Sequence, residues 1–257
     1  MKRCLIVLLG ALLFIGCKGK QGVDGPTGPQ GNPGVGLPTY SKFFKNGVWP
    51  STSYAGNDFN RVDAANPYVN YQNDGSLKTS NSVTDISKIL ARFKIDGAMP
   101  INASITGAIL ELEILNTSNI GAVVSVGAYN MSIPAMVDTG SCIWVANYCN
   151  WVYYGGGYYW ITCGGGLGDI SAGNNYDATP MDVVTLPSSI SGTYTRIGWN
   201  IPASIVQKWL NSPAKNNGVV LCALNEGTQT TGNVDFAAPN NANLDYRPNL
   251  IVTYNVP

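Results

Sequence analysis

Ala103-Ser104-Ile105-Thr106-Gly107-Ala108-Ile109-Leu110-Glu111-Leu112-Glu113-Ile114 is the stretch whose reading decides the fold. Leu110, Leu112 and Ile114 alternate with Glu111 and Glu113, the period of two that a half-buried strand imposes because successive side chains leave opposite faces. Upstream, Ile89-Leu90-Ala91-Arg92-Phe93-Lys94-Ile95 runs into a turn at Asp96-Gly97 and predicts a second core strand. Further strands are expected over residues 40–49, closed by Pro50, then at 123–128, 183–186, 197–201, 219–224 after the Asn217-Gly218 turn, and 250–254. Residues 51–82 are dense in Asn, Asp, Gly and Ser and predict loops, with Leu77 and Lys78 in a short extended piece. One short helix follows Pro202, where Ile205, Val206, Trp209 and Leu210 share a face before Asn211, Ser212 and Pro213 end it. Many short strands, turn clusters and one minor helix predict an all-β chain, a β-sandwich of jelly-roll character.

The head of the chain carries different signals. Met1-Lys2-Arg3 is a positive end, and Leu5 to Ile15 is an apolar run too short to span a bilayer as a helix, so residues 1–16 predict a signal peptide. Leu13-Phe14-Ile15-Gly16-Cys17 resembles the lipobox of bacterial lipoproteins, with Phe14 where leucine is commoner. That resemblance implies lipidation at Cys17 and anchorage to a bacterial membrane on its exported face. Residues 17–39 then hold Gly19, Gly22, Gly25, Gly28, Gly31 and Gly34 in strict triplet register, with Pro26, Pro29 and Pro33 between them. Glycine at every third position is what a collagen triple helix needs, because its axis has no room for a Cβ. Two readings stay open: a flexible Gly/Pro tether for a monomer, or the stalk of a homotrimer. Residues 40–257 are left as the globular domain.

Composition narrows the partners. The chain of 257 residues has 15 basic and 15 acidic side chains and no histidine. The leader carries Lys2 and Arg3 and no acid, so the mature protein is weakly acidic. With 12 % charged residues, nothing provides the basic footprint of nucleic-acid binding. Of the cysteines, Cys4 leaves with the leader and Cys17 would take lipid. Cys142, Cys149 and Cys163 bracket one loop-rich segment and are disulfide candidates in an exported protein. Cys222, inside an apolar run, reads as a buried thiol.

The order of motifs resembles the DNRLRE-type, or disaggregatase-related, domain family. The residues that carry the likeness are Leu90-Ala91-Arg92-Phe93, Pro100 and Ala103 to Ala108 leading into Leu110-Glu111-Leu112. Ile205-Val206-Gln207-Lys208-Trp209, Asn216-Asn217-Gly218-Val219-Val220-Leu221 and Arg247-Pro248-Asn249-Leu250-Ile251-Val252-Thr253-Tyr254 continue it. The resemblance implies a secreted β-sandwich, attached in many members to polysaccharide-acting or surface proteins and serving in some as a carbohydrate-binding module. The family commonly has Asp-Val-Thr before the short helix, where this chain has Asn200-Ile201-Pro202.

The most unusual segment runs from Trp144 to Trp160, where eight aromatic residues crowd around Gly155-Gly156-Gly157. Sugars present flat C–H faces that stack on aromatic rings, so Trp151, Tyr153, Tyr154, Tyr158 and Tyr159 are the candidate carbohydrate-binding residues. The competing reading buries these rings over one end of the sandwich. Catalysis finds little to work with. Glu111 and Glu113 lie side by side on one strand, read as a solvated face, rather than across a scissile bond, and histidine is absent as a base. Arg92, Arg196 and Arg247 are candidates to meet a uronate or sulfate, with structural pairing the simpler expectation for Arg92. Asp235, Asn240, Asn241, Asn243 and Asp245 offer oxygens of the type calcium takes, without EF-hand spacing; no cofactor is expected. The expectation is thus a surface lipoprotein whose non-catalytic β-sandwich binds a polysaccharide. The alternative is a structural or adhesive surface protein with a protein partner.

Overall fold

The computed structural model describes residues 37–82, 85–116, 125–131, 149–155, 158–161, 167–168, 170–173, 175–186, 195–224, 226 and 233–257. The expectations for residues 1–16, the Cys17 anchor, the glycine repeat, Cys142 and Cys163 lie outside them. The strands in chain order are β1 (Thr39–Lys45), β2 (Asn57–Asp63), β3 (Ser76–Ser82), β4 (Asp85–Phe93), β5 (Ser104–Asn116), β6 (Ser125–Asn130) and β7 (Tyr153–Gly155). They continue as β8 (Tyr158–Ile161), β9 (Leu167–Gly168), β10 (Asp182–Thr185), β11 (Thr195–Ile201), β12 (Val219–Ala223), β13 (Asn233–Ala237) and β14 (Asn249–Asn255), with one helix α1 (Ala203–Asn211).

The all-β expectation holds. Eleven strands form one continuous antiparallel sheet that doubles over on itself. The alternating stretch becomes β5, which pairs with β14 along one edge and β11 along the other. β13 takes over where β14 ends. β4 is the equivalent centre of the second arm, with β2 on one edge and β3 and then β12 on the other. One arm is therefore β1–β14–β5–β11 and the other β2–β4–β12–β6–β10, joined through β13 and β3.

The core lies between the arms. Leu110, Leu112, Ile114, Trp199, Leu250 and Val252 of the first arm meet Phe59, Ile89, Ala91, Phe93, Val126, Val219 and Leu221 of the second. Each such leucine, isoleucine, valine or phenylalanine contributes about 1.5–3 kcal/mol on full burial. The helix covers one end with Val206 and Trp209 buried. Gln207 ties it to the start of β5, accepting from the Ile105 amide at 2.9 Å and donating to the Ala103 carbonyl at 3.2 Å.

Within residues 51–82, β2 departs from the expected loops, while β3 lengthens the short extended piece expected at Leu77 and Lys78. Turn-forming composition is overridden because β4 supplies a pairing edge for each, and the polar side chains of Asn60, Thr79 and Ser80 are buried with partners.

Candidate functional site

β12 shows why the aromatic segment sits where it does. Val219, Leu221 and Ala223 enter the main core, yet Val220 and Cys222 on the opposite face are equally buried. They join Val62, Leu90, Tyr129, Met131, Cys149, Trp151, Ile170 and Tyr176 in a second apolar cluster. Residues 149–152, 170–173, 175 and 176 thus cover the outer face of the second arm.

Asparagines pin this cover in place. Asn60 Nδ2, on β2, donates to the Cys149 carbonyl at 2.7 Å and to its Sγ at 3.1 Å, and Asn70 Nδ2 reaches the same carbonyl at 2.7 Å. Asn150 Oδ1 accepts from the Val152 amide at 2.9 Å, and the Ile170 amide donates to the Trp151 carbonyl at 3.3 Å. Cys149 and Cys222 are buried free thiols, each pushed up to about 12 by burial. Cys149, expected as a disulfide candidate, is held here by asparagine.

Trp151, expected among the sugar-stacking residues, is buried at 7 % exposure and belongs to the stem of the segment rather than to its surface. The other four candidates occupy a ribbon beyond that stem. Tyr153 and Tyr154 lie on β7 and Tyr158 and Tyr159 on β8, antiparallel, with Tyr153 opposite Tyr159 and Gly155 opposite Tyr158. The register shifts between Tyr153 and Gly155, which makes Tyr154 the extra residue of a bulge. β9 extends the ribbon by pairing Trp160 with Gly168 and Ile161 with Leu167.

Beneath the cover lies a polar group that sequence reasoning missed. Lys88, 4 % exposed, donates from Nζ to the Tyr176 hydroxyl at 3.0 Å and pairs with Glu226 Oε2 at 3.0 Å. Its ammonium stands 5.1 Å from the Trp151 ring centroid and 5.3 Å from that of Tyr176. Burial raises the Glu226 carboxyl and the Tyr176 hydroxyl, and takes Tyr129 up to about 12. The signal was a lysine one place before the apolar run at Ile89. An ammonium so partnered is a fastening rather than a free nucleophile.

The outer face of the first arm is built differently. Strand register lays Lys45, Asn249, Glu111 and Gly198 in one row and Phe43, Ile251, Ile109 and Asn200 in the next. Glu111 and Glu113, expected on a solvated face, are engaged. Glu113 is buried and accepts from Arg196 Nε at 3.2 Å, and Glu111 Oε2 accepts from Asn249 Nδ2 at 3.0 Å. Lys45 Nζ donates to the Asp245 carbonyl at 3.2 Å, and burial followed by the Arg196 charge lowers its pKa. The apolar row is open: Phe43 and Ile109 are 41 % and 39 % exposed, and Trp49, 53 % exposed, has its ring centroid 6.4 Å from that of Phe43.

The remaining candidates are structural in their contacts. Arg92 pairs with Asp58, and Arg247 donates to the carbonyls of Asn241 and Asn46. Asn241 Oδ1 and Asn243 Oδ1, offered as calcium ligands, accept the amides of Asn243 and Asp245 and so close turns. Among the described residues no three carboxylate or thiol side chains converge on a metal-sized site. No protein-family model and no curated protein matches the chain.

Proposed function

We propose that the chain is an exported, lipid-anchored surface protein whose non-catalytic β-sandwich binds extracellular or surface polysaccharide through Tyr153, Tyr154, Tyr158 and Tyr159. The observation that carries this reading is the β7–β8 register, which gathers the four tyrosines on one short ribbon. The ribbon grows from a stem fixed by Asn60, Cys149, Trp151 and Ile170, so it is presented by a rigid base. Ring faces stack on sugar C–H faces with little conformational entropy to lose, and tyrosine adds a hydroxyl that bonds to sugar hydroxyls. The likeness to DNRLRE-type domains points the same way. So does the occupation of Glu111 and Glu113 by Asn249 and Arg196, which leaves that carboxylate pair without a catalytic arrangement.

The full chain, purified in detergent, is to be tested on a panel of soluble and insoluble polysaccharides by affinity electrophoresis and pull-down. Replacing all four tyrosines by alanine is expected to remove binding while the circular dichroism of the strands is retained. Failure of the intact chain to bind any saccharide, or equal binding by the variant, overturns the proposal. Mass spectrometry of the cell-derived protein tests the anchor, since an unacylated Cys17 would refute it.

A further inference from the structure

We infer that the open face of the β1–β14–β5–β11 arm is a self-association surface, meeting its equivalents on two further copies of this chain when the Gly-X-Y segments join in a three-stranded stalk. The inference goes beyond polysaccharide binding and does not depend on it.

Scattered apolar side chains are normal on a protein surface, but a contiguous row is not. Phe43, Ile251 and Ile109 stand side by side on three adjacent strands, and Trp49 lies against Phe43. The outer face of the other arm carries a similar apolar row and is covered by residues 149–152, 170–173, 175 and 176; among the described residues no segment covers this one. A sugar would find few hydrogen-bonding partners here, because only Asn200 in the row is polar. The neighbouring charges, Lys45 and Arg196 against Glu111, Glu113 and the Asp182 that holds Asn200, leave a single net negative charge, so identical faces meet with little net repulsion.

Chain connectivity selects the occupant. The last triplet glycine, Gly34, is followed within a few residues by Leu37, 52 % exposed, and then by the edge strand β1 that carries Phe43. Nine residues separate Gly34 from Phe43, so at roughly 3.3 Å each the chain between them spans at most about 30 Å. Copies wound about one axis would hold these faces at an effective concentration of about a millimolar. Such a patch is smaller than the roughly 800 Å² per partner of a standard stable interface. Six triplets are likewise short for a stalk that must close alone. Each contact supplies the association the other lacks.

The test uses the full chain in detergent, with light scattering, amine cross-linking and the circular-dichroism band of the collagen triple helix. The expected result is a trimer. Trp49→Glu, and independently Ile109→Lys, should weaken association at least tenfold and lower the stalk melting temperature, with the thermal unfolding of the β-domain unchanged. Gly25→Ala with Gly28→Ala should do the same from the stalk side. A wild-type monomer or dimer at all accessible concentrations overturns the inference, as does a trimer indifferent to both face substitutions. Protection of Trp49 fluorescence by a polysaccharide, with association unaffected by the face variants, would instead make the face a glycan site. Loss of glycan binding in the tyrosine variant with the trimer intact separates the two proposals.

Discussion

Trp199 on β11 donates its indole Nε1–H to the backbone carbonyl of Val126 on β6 at 2.8 Å, linking one arm of the sandwich to the other through a fully buried contact. Its ring also meets Phe236 on the joining strand edge-on, with centroids 6.2 Å apart. A buried tryptophan carries a polar handle that must be satisfied, so this bond fixes both ring orientation and the relative position of the arms.

Trp199→Phe keeps an aromatic ring but removes the donor and leaves a void. The expected loss is about 2–4 kcal/mol in urea unfolding, combining an unsatisfied carbonyl with a partial cavity. Trp199→Ala should cost more. An unchanged midpoint for Trp199→Phe would mean that the inter-arm bond contributes nothing to stability.

The strands around this bond were legible where polar and apolar side chains alternate along the chain. Glu111 and Glu113 alternating with leucines announced β5, and the closing strand at Leu250 to Tyr254 was equally plain. β2 was illegible and of β3 only Leu77 and Lys78 showed as extended, because their composition is that of turns; pairing decides their state, and β2 finds β4, and β3 finds β13, far along the chain. The candidate site divides in the same way. The tyrosines were expected on a glycine-rich loop and lie on two short strands, and the burial of Trp151 depends on Lys88, Leu90 and Val220, residues far along the chain whose outward faces seek a cover. The Lys88–Glu226 pair spans 138 positions and left no local pattern.

Cys149 and Cys222 should resist alkylation in the native protein and react on unfolding. Burial raises each thiol from an ordinary 9.0 to about 12, so the thiolate, the reactive form, is suppressed in the fold. The same shift sets a pH dependence. A group whose folded pKa is raised adds stability that is complete below its unfolded value and is lost as pH rises toward the folded one. Stability should therefore fall between pH 9 and 12, and Cys149→Ala with Cys222→Ala should flatten that part of the curve. Rapid native labelling of either thiol at neutral pH would contradict the buried stem.

Lys88 and Glu226 should behave as a pair. Lys88→Met leaves Glu226 charged beneath the cover, and Glu226→Gln leaves the ammonium with only the Tyr176 hydroxyl and two ring faces. Either change is expected to cost about 3 kcal/mol, whereas the double variant should recover a large part, because breaking a buried pair is worse than removing it. A double-mutant cycle in urea measures the coupling, and strict additivity would show that the two charges do not interact.

Gly218 and Gly97 offer a controlled comparison of two left-handed turns. Both have positive φ, +75° and +74°, so alanine at either position pays the same backbone penalty of about 1 kcal/mol. At Gly97 an added Cβ meets nothing within 4 Å. At Gly218 it falls 2.1 Å from the Ala91 carbonyl oxygen, part of the β4 backbone against which β12 pairs. Backbone cannot rotate aside as a side chain does, so accommodating the methyl means separating β12 from β4 and disturbing both apolar clusters at once. Gly97→Ala is expected to lower the melting temperature by a few degrees, and Gly218→Ala to lower it several-fold more or prevent folding. Should the two variants melt alike, the Asn217-Gly218 turn would not be holding β12 this close to β4.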